Sequence, residues 1–273
     1  MELELGNLQK PVRILRRSLK SLTRDPPMEA VHSLRIHARR VEAIAAALMP
    51  GNSKLTRRLL KTIRPVRKAA GQVRDMDVLA GNARTLATNR RSRSVASLLD
   101  YLSSKREESA RELLDAVARQ RDDARSALKQ FSRQIDKRFH KNKPGAITEA
   151  TANGSGGDAA MRLIDELNRW PEFNAENLHP FRIKVKELRY VLQLARDANH
   201  ELVDLLGKVK DQIGDWHDWQ QLAEIAEKAL NPKRDLATLK KIDEIEKKKL
   251  AQALAAAHEM RTQYLSRYAQ TGV

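Results

Sequence analysis

The chain carries one pattern of apolar positions twice, in stretches 147 residues apart. Within residues 31–48 and within residues 178–195, apolar residues recur at alternating steps of three and four. This spacing is typical of an amphipathic helix with one buried stripe, so the sequence predicts two helices of the same kind. The first stripe is Val31, Leu34, Ala38, Val41, Ala45 and Leu48, and the second is Leu178, Phe181, Val185, Leu188, Leu192 and Ala195.

A basic residue follows each of the first three residues of both stripes. At about 100° per residue, these basic residues lie on one face, beside the apolar stripe rather than opposite it. A row of one charge sign at the edge of a buried seam predicts a cationic groove between packed helices. The residues are His32, Arg35 and Arg39 in the first stretch, and His179, Arg182 and Lys186 in the second.

A second pair of segments also matches, VRKAAGQVRD at 66–75 and VKDQIGDWHD at 209–218. Both contain two basic positions seven residues apart, which share a helix face. Both also contain a glycine, Gly71 or Gly214, which lowers helix stability and indicates the close approach of another backbone or a ligand. The basic positions are Arg67 and Arg74, and Lys210 and His217.

The remaining pattern completes an all-α chain, predicted as two four-helix bundles related by internal duplication, with a basic central groove. Residues 1–142 form the first repeat, 143–157 a flexible Gly- and Pro-containing linker, and 158–273 the second repeat. Asp25 is expected to cap the second helix and Asn177 the sixth. The other helices are predicted near residues 8–22, 54–88, 92–140, 158–169 and 201–230, with the last ending near 268.

Composition narrows the class of partner. The 273 residues include no cysteine, which excludes disulfides, thiolate metal sites and thiol catalysis, and no apolar run long enough for a membrane span. We therefore expect a soluble, cytoplasmic protein. The net charge of +17 lies in residues 1–150, which hold 33 Lys and Arg against 16 Asp and Glu. Such a field favours polyanions: nucleic acid, an acidic membrane surface or a phosphate polymer.

The motifs VHSLRIHARR, LHPFRIKVKELRY, VRKAAGQVRDMDVL and VKDQIGDWHDWQQL resemble those of the CHAD domains (conserved histidine α-helical domains). The resemblance extends from about Leu8 to Tyr268 and implies two four-helix bundles around a basic cavity that binds inorganic polyphosphate. Only about seven residues precede the first predicted helix, so a stand-alone member is expected. The implied ligands are His32, Arg35, Arg39, Arg67, Arg74, His179, Arg182, Lys186, Arg189, Lys210 and His217.

Two departures from a symmetric site are visible in the sequence. Arg189 extends the second basic row, but its counterpart in the first half is Glu42, and Asp211 follows Lys210. Five further cations are considered as additional contacts: Arg13, Arg16, Lys20, Arg64 and Lys68.

Polyphosphate suits these residues chemically, because it offers phosphate oxygens and no bases, and arginine binds such oxygens with a planar set of donors. If Asn177 caps its helix, His179 and Pro180 lie in the first turn, where backbone N–H groups also favour phosphate. A histidine beside phosphate gains a proton, so affinity is expected to rise from about pH 8 to about pH 6.

Two other functions stay open. Nucleic-acid binding through phosphates alone fits the charge, although single-strand binders usually add aromatic stacking, and aromatics are 4% of the chain. A di-metal bundle enzyme is suggested by Glu29-x-x-His32 and Glu176-x-x-His179, although a cationic surround opposes metal binding. We expect a non-catalytic protein with no metal or cofactor and no membrane partner, associated with polyphosphate granules. The sequence leaves oligomeric state and preferred chain length open.

Overall fold

The protein folds almost entirely into helices. The computed structural model describes residues 5–48, 53–87, 92–141, 152–193 and 200–265, and these residues contain no strand. The all-α prediction is therefore confirmed. The helices are α1 Leu5–Ser21, α2 Met28–Leu48, α3 Lys54–Thr85, α4 Arg93–Lys141, α5 Ala152–Asn168, α6 Ala175–Gln193, α7 His200–Ala229 and α8 Leu236–Glu259, followed by a π-helical segment, Met260–Leu265.

Each group of four helices closes around its own apolar core. Buried residues of α1, α2, α3 and α4 form one hydrophobic cluster, and buried residues of α5, α6, α7 and α8 form another. Because the predicted stripes supply part of both cores, the three-and-four spacing identified the buried faces of α2 and α6. The fully buried stripe residues are Val31, Leu34, Ala38, Val41 and Ala45, and Leu178, Phe181, Val185 and Leu188.

The compact units do not coincide with the predicted sequence halves. The N-terminal unit comprises residues up to 80 and from 100 into α4, whereas residues 81–99 cluster with everything from α5 onward as the C-terminal unit. Two hydrogen bonds join residues 81–99 to the later part of this unit: Ser94 Oγ donates to Asp235 Oδ1 at 2.7 Å, and Lys241 Nζ donates to the Leu86 carbonyl at 3.2 Å. The internal duplication and a central groove stay predictions.

The predicted linker overlaps a helix. α5 begins at Ala152, six residues before the predicted start at 158, whereas residues 143–151 lie outside the described residues. Gly154, Gly156 and Gly157 lower helix propensity, which is why the pattern favoured a linker. The predicted end of the last helix near 268 likewise lies outside the described residues.

Asp25 does not cap α2, contrary to the sequence prediction. α2 begins at Met28, and the carbonyl of Pro27 accepts hydrogen bonds from the amides of Ala30 and Val31. Pro26 precedes Pro27, and a residue before proline is driven away from the helical conformation, so Pro26 cannot be the first helical residue after an Asp25 cap. The Asp25 carboxylate instead accepts a bond from Arg106 Nη1 at 3.2 Å.

In the part of the chain that the structure describes, no helix has both the length and the apolar character needed to cross a membrane.

Candidate functional site

In the N-terminal unit, a basic cluster forms where α2 faces α3. Burial, followed by the charges of Arg74 and Arg35, lowers the pKa of His32 from its ordinary value. The Arg35 side chain reaches across to Gly71, where a Cβ atom would lie at an ordinary contact distance of 3.9 Å from Arg35 Nε. The structure thus brings together His32, Arg35 and Arg74, and it keeps the imidazole neutral near pH 7.

Arg39 and Arg67 of the same unit have different environments. Arg39 Nε is buried and has no hydrogen-bond partner among the described residues. Arg67 Nε donates to Glu42 Oε1 at 2.9 Å, and both side chains are largely buried. The departure at Glu42 therefore has a structural consequence, because a phosphate that reaches Arg67 must compete with a carboxylate already in place.

The additional candidates on α1 lie elsewhere in this unit. Arg13 and Arg16 line a cavity of about 270 Å³ together with Lys10, Gln9 and Ser132, so its walls come from α1 and α4 and not from the α2–α3 cluster. The other three candidates, Lys20, Arg64 and Lys68, are exposed on α1 and α3.

In the C-terminal unit, two histidines pack against each other where α6 faces α7. The ring centroids of His179 and His217 are 4.4 Å apart, with an angle of 33° between the planes. Burial, then His179, Arg182 and Lys186, lowers the pKa of His217 to about 4. Burial, then Arg182 and Lys186, also lowers the pKa of His179. The structure therefore brings four predicted ligands together in this unit, both imidazoles being neutral near pH 7.

The glycines of α7 explain how the arginines of α6 fit. Arg182 Nε donates to the Lys210 carbonyl at 3.0 Å, and a Cβ atom on Gly214 would stand 2.6 Å from Arg182 Nη2. Arg189 Nε donates to the Val203 carbonyl at 3.2 Å. The prediction of a close approach at Gly214 was right, but the approaching group is an arginine side chain rather than a backbone or a ligand.

Lys210 contributes to this unit in two ways. Its carbonyl holds Arg182, and its ammonium group pairs with the carboxylate of Asp211, the neighbour that the sequence identified as a departure. Like Arg67, Lys210 therefore already has an acidic partner before any ligand arrives.

Asn177 does not cap α6, contrary to the sequence prediction. The Asn174 side chain accepts hydrogen bonds from the amides of Glu176 and Asn177, both at 3.0 Å, while Asn177 Oδ1 accepts from the Asn174 amide at 3.1 Å. This reciprocal pair is a capping box with asparagine at both positions, and it starts the helix at Ala175. Consequently, His179 lies in the second turn, and the prediction that it lies among the free first-turn amides is wrong.

With α6 starting at Ala175, Glu176 and His179 of the E-x-x-H motif lie on the same helix. Across the described ranges, however, no group of three or more histidine, aspartate and glutamate side chains could hold a metal ion. The di-metal alternative therefore has no set of ligands in that part of the chain.

Comparison with known proteins places this arrangement in a family. The sequence model of the CHAD-domain family matches residues 8–227 of this chain. The chain belongs to the CHAD-domain family. Two solved structures share the fold. The match to PptA from Streptomyces chartreusis covers 95% of this chain and 96% of the PptA chain, with 16% sequence identity and a TM-score of 0.59. The match to the CHAD domain from the plant Ricinus communis covers 93% of this chain and 89% of the plant chain, with 17% sequence identity and a TM-score of 0.58. No curated protein matched the chain in sequence.

Sequence reasoning on this CHAD domain missed one glycine. Gly207 lies against Arg189, just as Gly214 lies against Arg182. A signal was present, since the two arginines are seven residues apart on α6 and the two glycines are seven apart on α7. Spacings of seven on both helices align two contacts along one antiparallel interface.

Proposed function

We propose that this CHAD domain binds inorganic polyphosphate, without catalysis, through basic side chains of both units. The observation that carries the proposal is the α6–α7 cluster, where the groups that depress the pKa of His217 besides burial are all basic: His179, Arg182 and Lys186. A site of concentrated positive potential attracts polyanions. Family membership supports polyphosphate as the polyanion, and the predicted basic groove is part of this proposal.

The environment of the aromatic residues supports polyphosphate over nucleic acid. Trp216 and Trp219 of α7 are both buried, and Trp216 Nε1 donates to Glu246 Oε1 at 2.7 Å. These indoles pack in the core, so they cannot form a stacking platform for bases. What the cluster offers is guanidinium, ammonium and imidazole groups, which bind phosphate oxygens and do not distinguish one base from another.

Non-catalytic binding follows from the chemistry of the same positions. Phosphoanhydride hydrolysis by the usual routes needs acidic metal ligands or an activated nucleophile beside the phosphates, whereas the matched positions are basic. We further propose that polyphosphate is the cellular partner, that the protein is cytoplasmic and associates with polyphosphate granules, and that it uses no cofactor.

Competition binding tests the proposal against its main rival. Long-chain polyphosphate and single-stranded RNA of equal phosphate content compete for the full chain at two salt concentrations. Polyphosphate should displace RNA, and both affinities should fall with salt as counterions are released. RNA binding that equals or exceeds polyphosphate binding at both salt concentrations would favour the nucleic-acid function instead.

Two double variants test which side chains carry the binding. Arg39→Ala with Arg74→Ala removes two permanent charges, whereas Lys186→Ala with His217→Ala removes one at neutral pH, because burial and basic neighbours keep His217 neutral. We expect the first pair to weaken polyphosphate binding more in isothermal titration, with helicity checked by circular dichroism. A larger loss from the second pair would show that the bound chain lies chiefly along α6 and α7.

A further inference from the structure

Arg182 of α6 is anchored to the backbone of α7. Its Nε donates to the carbonyl of Lys210 at 3.0 Å. That carbonyl lies four residues before Gly214, so in a regular helix it also accepts the Gly214 amide. A Cβ atom on Gly214 would lie 2.6 Å from Arg182 Nη2 and 3.1 Å from both its Nε and Cζ. A Cβ atom at residue 214 would therefore force a shift, and the flexible end of the Arg182 side chain is the group free to leave this position.

Arg189 repeats the contact two turns farther along the same interface. Its Nε donates to the carbonyl of Val203 at 3.2 Å, again four residues before a glycine, Gly207. A Cβ atom on Gly207 would lie 3.3 Å from Arg189 Nε and 3.7 Å from its Cζ and Nη2. The same donor atom, the same carbonyl offset and a glycine at the same place occur twice, which makes a chance contact an inadequate explanation.

Gly71 of α3, which the matched segments align with Gly214, makes a looser contact with its arginine. A Cβ atom on Gly71 would be 3.9 Å from Arg35 Nε, an ordinary contact that asks nothing of the arginine. A Cβ atom on Gly81, farther along α3, would meet nothing within 4 Å. The four glycines thus form a graded series on two long helices. A Cβ atom would meet open space at Gly81, an ordinary contact at Gly71, and a contact at Gly207 that requires Arg189 to give by a few tenths of an ångström; only at Gly214 would it come closer than 3.0 Å to the arginine.

We propose that Gly214 and Gly207 are positioning residues for the bound anion: by admitting the Nε–carbonyl contacts, they hold Arg182 and Arg189 in fixed orientations before polyphosphate arrives. This inference rests on the proposed function. Immobilising one rotamer-rich side chain on binding costs a few-fold to about tenfold in affinity, and an arginine that is already ordered avoids that loss. Losing the anchor of Arg182 should therefore weaken polyphosphate binding roughly 2- to 10-fold.

The test compares Gly214→Ala with Gly71→Ala and Gly81→Ala in the full chain, using isothermal titration with polyphosphate. All three substitutions raise helix propensity, so a loss of affinity confined to Gly214→Ala cannot come from the helix itself. We expect Gly81→Ala to bind as the wild type does, Gly71→Ala to change less than Gly214→Ala, and Gly214→Ala to lose roughly 2- to 10-fold.

A spectroscopic measurement separates positioning from general structure. The Nε–Hε resonance of Arg182 in ¹H–¹⁵N spectra should be protected from solvent exchange in the wild type and in Gly81→Ala, and should lose that protection in Gly214→Ala. Arg182→Lys keeps the charge and leaves Gly214 in place, so it gives a second variant with an unaltered α7. In that background, adding Gly214→Ala should cause no further loss of affinity.

The outcomes distinguish this inference from the proposed function. If the wild type binds no polyphosphate, the proposed function fails, while the Nε–Hε measurement still tests the anchor. If the wild type binds and Gly214→Ala binds equally well, or if its Nε–Hε protection survives, the positioning role is overturned. A further loss from Gly214→Ala in the Arg182→Lys background would also overturn it, because the glycine would then act through something other than the guanidinium.

Discussion

Polyphosphate binding should strengthen as the solution becomes more acidic, because His217 starts from an unusually low pKa. Burial and the charges of His179, Arg182 and Lys186 lower that pKa to about 4. A polyanion beside the ring would offset those charges and return the pKa toward its ordinary value of about 6.5. If the recovery is complete, this histidine alone strengthens binding about 20-fold between about pH 7 and about pH 5.

The pH range differs from the one expected from sequence. An ordinary histidine would take up its proton between about pH 8 and about pH 6 when a polyanion raises its pKa. Because the free protein holds the pKa of His32, His179 and His217 below the ordinary value, proton uptake moves to lower pH. The rise in affinity should therefore begin near pH 6.5 and level off near pH 4.

Isothermal titration at several pH values and constant ionic strength measures this effect directly. Long polyphosphate chains keep the share of terminal phosphates small, so that their own titration contributes little. His179→Gln with His217→Gln should flatten the profile, whereas His37→Gln, on α2 with its ring bonded to the Ser33 carbonyl at 2.7 Å, should leave it unchanged. A double variant with the wild-type pH profile would refute the placement of these two rings beside phosphate.

The lowered pKa values of these histidines also predict how the free energy of unfolding depends on pH when no ligand is bound. Between about pH 6.5 and about pH 4, the unfolded chain binds more protons at these histidines than the folded chain does. The free energy of unfolding should therefore be fully retained above about pH 6.5 and decrease as the pH falls toward 4. Urea unfolding should show a shallower decrease for His217→Gln than for the wild type, and parallel curves would contradict the low pKa.

Two further substitutions follow from the ion pairs of the N-terminal unit. Glu42→Gln removes the carboxylate 2.9 Å from Arg67 Nε, so it should strengthen polyphosphate binding several-fold in titration, more than the same change at the exposed Glu29; equal effects would mean that only total charge matters. Arg106→Ala leaves Asp77, whose side chain is 5% exposed, without its bond of 2.7 Å, so urea unfolding should show a loss of about 3 kcal/mol. An unchanged midpoint would show that Asp77 finds another partner.

The buried faces of the helices could be predicted from the sequence because periodicity reports burial directly. The three-and-four spacing of Val31, Leu34 and Ala38 admits one buried face, and all three side chains are 0% exposed. The ends of the helices were less predictable. Asn174 and Asn177 both favour a cap, and only their mutual hydrogen bonds show that Asn174 starts α6. Likewise, the glycines near residue 155 favoured a linker where α5 begins.

From the sequence one could predict that several candidate residues lie near one another, but not their protonation state or packing. Helical spacing placed His179 and Arg182 on one face, and the matched segment on α7 supplied His217. The sequence could not show that the two imidazole rings would pack with their centroids 4.4 Å apart, or that burial would hold them neutral. Those properties depend on how closely two helices approach, and that distance is set by packing between segments far apart in sequence.

The two units differ at two pairs of positions that the matched sequence segments align, and the difference separates attraction of a ligand from orientation of the side chains that bind it. The N-terminal unit has Glu42 and Arg64 where the C-terminal unit has Arg189 and Gly207. In the first arrangement, the Glu42 carboxylate forms an ion pair with Arg67, which offsets part of the positive charge surplus of residues 1–150. In the second, glycine lets an arginine lie against the helix backbone. Long-range charge governs how often a polyanion arrives, whereas ordered donors govern how long it stays. If the proposed function holds, we therefore expect the excess charge of the first half and the anchored arginines of the second half to act on different steps of binding.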